Sequence, residues 1–517
     1  MPQSKLRKFA LAIDLGTGGP KVALVADDGA IAARAARAVE TQHLPPDGAE
    51  QDPEEIWRSI LGAIREVLAE AAAPKEAICG IMCSAQFFSI VPIDSEGRPL
   101  TKLLMWLDRR GAPFSRALFE REPDALFRFI EIHGGIPFGS DSLSHMLHVK
   151  ELHPEIYERT HAFLEPVDFV TQRLTGVTSG NVCTVFPMLL TDNRRPEETS
   201  YSKDLLELTG IDEHRLPPLV PVDAQVGTLR PELAQELDLS ADIPVFSGMN
   251  DTQAVTIGAG AHRAGFGGLN IGTTMQILAS APEKHTDPEN QIVSMPSPLA
   301  GSYMAMAEIG LGGRTLEHFL RAVVHARDPL GDHRVSDPFA GLDAAVSAEP
   351  AGSGKLLYLP FLTGGGGPSG SGLMRGAFLN LSLETTRTRM LRAVLEGVAL
   401  HQRWARPAVE RFSGQPFTEI TVSGGGARSD AWVQILADVH DRPMQQLDDA
   451  RHANTRGNAF LTFQRLGLTG PDQIDRFRPI RRSYEPRSEH RQLYDELFEQ
   501  FVAAYDRVQP ISEALNR

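Results

Sequence analysis

Cysteine is scarce in this chain, with only Cys79, Cys83 and Cys183 among 517 residues. Three thiols cannot supply a disulfide framework for so long a chain, which points to a reducing, cytoplasmic compartment. Cys79 and Cys83 stand in the apolar run AICGIMCSAQ with no further Cys or His pair at ligand spacing. Both are therefore expected to be small buried thiols of a strand, and no structural metal is expected. Basic residues fall short as well, 51 Lys and Arg against 66 Asp and Glu, a net charge of −15. A net acidic surface repels phosphate backbones and anionic lipid, which argues against nucleic acid and membranes as partners. Long apolar segments are also lacking. The N-terminal MPQSKLRKFALAIDLGT begins like an export signal, but Asp14 interrupts it before the roughly 7 to 15 apolar residues such a signal needs. The uncharged stretches around Thr175 to Thr191 and Ala264 to Pro282 are broken by Gly, Asn, Thr and Pro, so neither reads as a spanning helix.

What remains is an ordinary globular composition. Hydrophobic residues make up 42% and charged residues 23%, so roughly two to four domains of about 100 to 200 residues can each bury a core. Phe9 to Ile13 and Lys21 to Val25 are apolar runs on either side of Asp14-Leu15-Gly16-Thr17, which predicts neighbouring strands. A helix is predicted from Asp52, a capping carboxylate followed by Pro53 and, three residues on, Glu55; Ile56, Ile60, Ile64 and Val67 give it one buried face. Ala77 to Ser84, Phe88 to Ile93 and Leu100 to Leu107 read as further strands. Near the middle, the strand Ile243 to Phe246 empties into Ser247-Gly248-Met249-Asn250-Asp251 and a helix of small residues. The pattern then restarts: Gly268 to Ile271, Gly272-Thr273-Thr274 and Met275 to Leu278 echo the first strand and its turn, a weak internal duplication. A helix around Arg314 to His325, a glycine-rich loop from Thr363 to Gly372, a long helix from about Leu383 to Phe412 and alternating strands and helices complete an α/β chain with two similar halves.

Two strands that end in Gly-Thr turns, one per half, can present backbone N–H groups and hydroxyls to a chain of phosphates. Asp14 follows the first strand where a carboxylate would meet the accompanying magnesium, or it forms the turn. Ser423-Gly424-Gly425-Gly426-Ala427 closes a strand and opens a helix, so its backbone can lie flat against a planar base. Asp251, between a strand and a helix, is placed either to cap that helix or to accept the proton of a substrate hydroxyl. Met105-Trp106-Leu107-Asp108-Arg109-Arg110 offers a flat apolar face beside a carboxylate and guanidinium groups, which suits a sugar or polyol and equally an interface tryptophan. Gly354-Lys355 lacks the rest of a Walker motif.

Taken in order, DLGT at Asp14 to Thr17, EQDP at Glu50 to Pro53, SAQ at Ser84 to Gln86, WLDRR at Trp106 to Arg110, SGMND at Ser247 to Asp251, IGTT at Ile271 to Thr274 and SGGGARSDAWVQILAD at Ser423 to Asp438 resemble the FGGY family of carbohydrate kinases over nearly the whole chain. The resemblance implies two actin-like, ribonuclease-H-like domains with a cleft between them. Residues 1–262 would bind the sugar and carry the catalytic base, and residues 263–517 would bind ATP. Carried over by position, Asp251 falls at the catalytic base and Asp14 at the magnesium-side carboxylate. Gln86, Phe87, Trp106, Asp108 and Asn250 fall along the sugar site. Thr17, Lys21, Gly272, Thr273, Gly312, Gly313, Gly425, Gly426 and Ala427 fall in the ATP motifs. ATP and Mg2+ are the implied cofactors, a small sugar or polyol the substrate, and a homodimer the family habit.

The motif style is nearest to xylulokinases, which implies a ketopentose substrate, with erythritol, glycerol or gluconate as alternatives. Phe87-Phe88-Ser89 follows Gln86 where those kinases carry more polar runs, so a sugar lacking a hydroxyl there is one expectation. The rivals are a weakly active or inactive binding protein on the same scaffold and an actin-like ATPase or chaperone.

Overall fold

The first strand, β1 (Phe9–Gly16), is buried on both faces from Phe9 to Leu15, as a near-continuous apolar run requires at the centre of a covered sheet. It turns through Thr17-Gly18 into β2 (Gly19–Ala26), antiparallel, with Gly16 opposite Gly19. Gly19 has φ +122°, and a Cβ there would stand 2.2 Å from the Arg37 carbonyl oxygen, so only glycine fits. β3 (Ile31–Ala36) extends the sheet beyond β2. Next comes α1 (Pro53–Glu70), whose cap is Asp52: its Oδ1 accepts from the Glu54 N–H at 2.9 Å. Ile56, Ile60, Ile64 and Val67 are fully buried on one face, each burial stabilising by about 1.5–3 kcal/mol. β4 (Ile78–Ala85) returns parallel to β1, with Asp14 beside Ser84. β5 (Gln225–Thr228), β6 (Pro244–Phe246) and β7 (Met249–Asn250) complete a seven-stranded sheet in the order β5-β6-β4-β1-β2-β3, with β7 also pairing β4. α2 (Asp251–Gly258) follows β7 directly.

The structure is a computed structural model that describes residues 7–71 and 73–517, and these residues form two units. The first takes the chain up to Gly258 together with Ser294–Tyr303 and Asn454–Arg478; the second takes Ala259–Val293, Met304–Ala453 and Pro479–Arg517. In the second unit β8 (Phe266–Ile271) and β9 (Thr274–Ala281) form a hairpin with Leu269 opposite Ile277. Among the helices that follow are α3 (Gly313–Phe319) and α4 (Arg387–Phe412). β10 (Glu419–Ser423) runs parallel to β8, as β4 does to β1, so the duplication read from the sequence is also one of topology. α5 (Asp430–His440) leads to β11 (Met444–Leu447), parallel to β10. α6 (Ala453–Arg465) then returns the chain to the first unit, and β12 (Ile480–Tyr484) pairs antiparallel with β11.

Several boundaries differ from the sequence reading. Of Phe88 to Ile93 only Val91–Ile93 is strand, because Phe88 adopts φ +57°, and of Leu100 to Leu107 only Leu103–Leu104. α4 starts after Thr386, whose Oγ1 accepts from the Arg389 N–H at 3.1 Å, and Leu383 is exposed outside it. Cys83 and Cys183 are buried, but Cys79 is half-buried, its thiol pushed up to about 11 by burial. No helix among the described residues is long and apolar enough to cross a membrane.

Candidate functional site

In the first unit the chemistry-bearing residues gather where β1, β4 and β7 end. Asp14 is 1% exposed, and its carboxylate is held by three donors. Lys21 Nζ donates to Oδ2 at 2.8 Å, while Ser84 Oγ at 2.9 Å and Asn454 Nδ2 at 3.0 Å donate to Oδ1. Sheet register explains the first two, since Lys21 and Ser84 are the residues paired with Asp14 on β2 and β4. Asp251 is half-buried at the start of α2. Asn250 closes the helix start: its Oδ1 accepts from the Gln253 N–H at 2.8 Å, and Gln253 Oε1 accepts from the Asn250 N–H at 3.1 Å.

Gln86 and Asn250 both stand at the end of β4, where Asn250 pairs with Ala85, the residue before Gln86. Both are buried, and each keeps one side-chain atom without a hydrogen-bond partner: Oε1, an acceptor, on Gln86 and Nδ2, a donor, on Asn250. Buried polar atoms are rarely left so, and a polyol hydroxyl, donor and acceptor at once, suits such a pair. Gln86 Nε2 donates to Gln51 Oε1 at 2.8 Å, and Gln51 Nε2 donates to the Thr17 carbonyl at 2.8 Å. Trp106 Nε1 reaches Thr17 Oγ1 at 3.1 Å, so Thr17 and Trp106, read separately from the sequence, are joined. Phe87 and Phe88 are half-exposed, their ring centroids 4.6 Å apart, and Phe138 meets Phe88 edge-on at 5.1 Å.

Asp108 is placed differently from its neighbours. Its side chain is buried and takes the Ala49 N–H at 3.0 Å, the Arg110 N–H at 2.9 Å and the Arg110 guanidinium at 2.6 Å. Burial alone would raise its pKa, but the guanidinium and the two N–H donors outweigh that and hold the carboxyl below its ordinary range. Behind Ser89, Glu165 is fully buried, accepting from the Ser89 N–H at 3.4 Å and from the Ser142 hydroxyl. Burial pushes its pKa well up against those two bonds.

In the second unit three glycine turns meet at the ends of β8 and β10. The Gly312 N–H donates to the Thr273 carbonyl at 3.0 Å and the Gly313 N–H to the Gly272 carbonyl at 2.8 Å, so Gly312 and Gly313 brace the Gly272-Thr273 turn. A Cβ on Gly313 would stand 2.7 Å from the Gly272 oxygen. Gly424 has φ +82°, and a Cβ there would approach the Ile271 oxygen to 2.6 Å; at Gly426 it would meet Ile271 Cγ2 at the same distance. Gly425 is exposed, with no protein atom nearer than 4.0 Å to where its Cβ would be. Ala427 is buried, its carbonyl accepting from Gln446 Nε2 at 2.7 Å.

Gln51, Asn454 and Glu165 were not singled out from the sequence. Gln51 stands inside the EQDP motif and was findable; Asn454 sits 440 positions from Asp14, and nothing local marks it.

Comparison with known proteins gives the following. The model of the FGGY family of carbohydrate kinases, N-terminal domain, matches residues 9–258, and that of its C-terminal domain matches residues 268–464. A xylulose kinase of Bacillus subtilis (strain 168) is 27% identical, covering 98% of this chain and 99% of that protein. A glycerol kinase of Thermus brockianus is 30% identical over 84% of this chain and 86% of its own. The crystal structure of a xylulose kinase from Rhodospirillum rubrum shares the two-domain α/β fold, with a TM-score of 0.84 and 24% identity over 98% of this chain and 100% of that one.

Proposed function

Because the chain belongs to the FGGY family of carbohydrate kinases, we propose that it transfers the γ-phosphoryl group of ATP to a hydroxyl of a ketopentose such as xylulose, with Asp251 as general base. ATP is the phosphate donor of this family. The observation that carries the rest of the reading is the pair of buried, unpartnered atoms, Gln86 Oε1 and Asn250 Nδ2, the latter on the residue that precedes Asp251. Gln86 and Asn250 orient the acceptor hydroxyls, and Trp106 supplies an apolar face. Asp251 then takes the proton as the hydroxyl oxygen bonds to the γ-phosphorus and the bond to the bridging oxygen of ADP breaks. Asp108 acts at one remove, fixing Arg110 and the main chain at Ala49. Thr17, Lys21, Gly272, Thr273, Gly425, Gly426 and Ala427 face the nucleotide, with Gly312 and Gly313 supporting. Magnesium usually meets protein through one or two carboxylates plus phosphate and water oxygens, and the single carboxylate of Asp14, with about four lone-pair positions against three donors, fits that need. When bound, the ion neutralises charge on the phosphates. The few thiols favour a cytoplasmic setting.

The test is ADP release from Mg-ATP across D-xylulose, L-xylulose, ribulose, glycerol, erythritol and gluconate. One acceptor should stand out, and Asp251→Asn should lower kcat for it by about 10²- to 10⁴-fold. A wild-type protein that binds ATP yet turns over none of them overturns the ketopentose assignment and favours the binding-protein reading; an active Asp251→Asn overturns the base.

A further inference from the structure

We propose that Asn454 and Asn458, one helical turn apart on α6, are positioning residues that aim the Asp14 carboxylate and fix the start of the helix bearing Asp251. The inference rests on the kinase reading above. Asn454 Nδ2 carries two hydrogens and meets two acceptors, Asp14 Oδ1 at 3.0 Å and the main-chain oxygen of Asp251 at 3.2 Å. One amide thus ties together the two turns that carry the carboxylates. Asn458 Nδ2 donates to the Ile13 carbonyl at 2.9 Å and to Ser84 Oγ at 3.0 Å. A serine hydroxyl has a single hydrogen; with a donor already on its oxygen, that hydrogen turns to Asp14 Oδ1, 2.9 Å away. Asn458 sets the direction of the Ser84 bond as Asn454 sets that of Asp251.

The cost of the arrangement supports the role. Asn458 is fully buried, and its Oδ1 has no partner. An unsatisfied buried acceptor destabilises a fold, and an alanine on this face would avoid it. What the amide contributes at this position is made by its nitrogen. Between the two asparagines, Gly457 lets α6 lie directly on the backbone of α2: a Cβ there would stand 2.3 Å from the Ala254 oxygen. The two helices cannot slide without moving the amides.

Steady-state kinetics of the full chain test this, with Asn454→Ala, Asp14→Asn and the double variant, each checked for a wild-type melting profile. Losing one hydrogen bond to a charged group should lower kcat by about 10- to 100-fold, while KM for the acceptor stays within about twofold, because the amide touches no substrate. In the Asp14→Asn background, adding Asn454→Ala should cost less than about threefold, since the two act as one unit. Asn458→Ala should lower kcat without lowering the melting midpoint. Wild-type kcat in a folded Asn454→Ala, or losses that multiply fully with Asp14→Asn, would overturn the proposal while leaving the kinase reading intact. A wild type without turnover on any acceptor overturns both.

Discussion

Gly457→Ala places a methyl group where the structure has no room for one. In the middle of a helix such as α6, alanine is favoured over glycine by about 1 kcal/mol, so propensity alone predicts a more stable protein. Packing predicts the opposite. The new Cβ would lie 2.3 Å from the Ala254 oxygen, 3.1 Å from the Gly258 nitrogen and 3.3 Å from the Ala254 carbonyl carbon. All three are backbone atoms of α2, a helix whose residues 252–258 are buried, so no side chain can swing aside. Relief requires the helices to part by about 1 Å, and overpacking of this kind costs roughly 1–3 kcal/mol, occasionally more. Net destabilisation of up to about 2 kcal/mol follows, a fall in Tm of up to about 6 °C in a unit of this size. The same displacement carries the Asn454 amide away from Asp14, and a misplacement of about 1 Å can cost 10²-fold in rate. Differential scanning calorimetry and kcat on one preparation read both effects. A Tm that rises with kcat unchanged would refute the packing argument, because helix propensity would then have outweighed the clash.

Gly425→Ala separates ligand from scaffold. Its φ of −64° suits alanine, and nothing in the protein lies within 4.0 Å of the added Cβ, so Tm should hold within about 1 °C. If the adenosine lies flat on this turn, KM for ATP rises at least about tenfold, measured with acceptor saturating; an unchanged KM would remove the turn from the nucleotide site. Glu165→Gln concerns pH. Burial raises the folded-state pKa of Glu165, so its contribution to stability is full below its unfolded value, about 4.3, and is lost as pH rises through the folded one. The glutamine does not titrate, so the difference in Tm, variant minus wild type, should grow as pH rises above about 4.3; a constant difference from pH 4 to 8 would show that Glu165 does not carry this dependence.

The parts of the fold legible in the sequence were those fixed locally. α1 announced itself through Asp52, Pro53 and the spacing of its isoleucines, and the β1 hairpin through its apolar runs and glycines. Phe88 to Ile93 misled because Phe88, by composition a strand residue, takes a left-handed conformation that only its surroundings impose. In the candidate site, Gln86 and Asn250 were named only through the family resemblance, whereas the strand-end and helix-start positions of Asp14 and Asp251 were legible. The direction of the Asp108 carboxylate was not, since a motif names a residue without saying which way it points. Asn454 was invisible for a related reason: its meaning depends on partners in strands and turns made hundreds of residues earlier.

The return of residues 454–478 to the first unit bears on how the protein is made. When the ribosome has delivered the chain as far as Gly258, the sheet around β1 has all seven strands but lacks the helix that supplies two of its amide donors. Nearly two hundred further residues must be synthesised before α6 arrives. Until then the Asp14 carboxylate and the apolar surface that α6 will cover stay open to water and to chaperones. Such late, sequence-distant closure slows folding and prolongs exposure to aggregation, so a nascent chain stalled between these segments is the species most in need of protection.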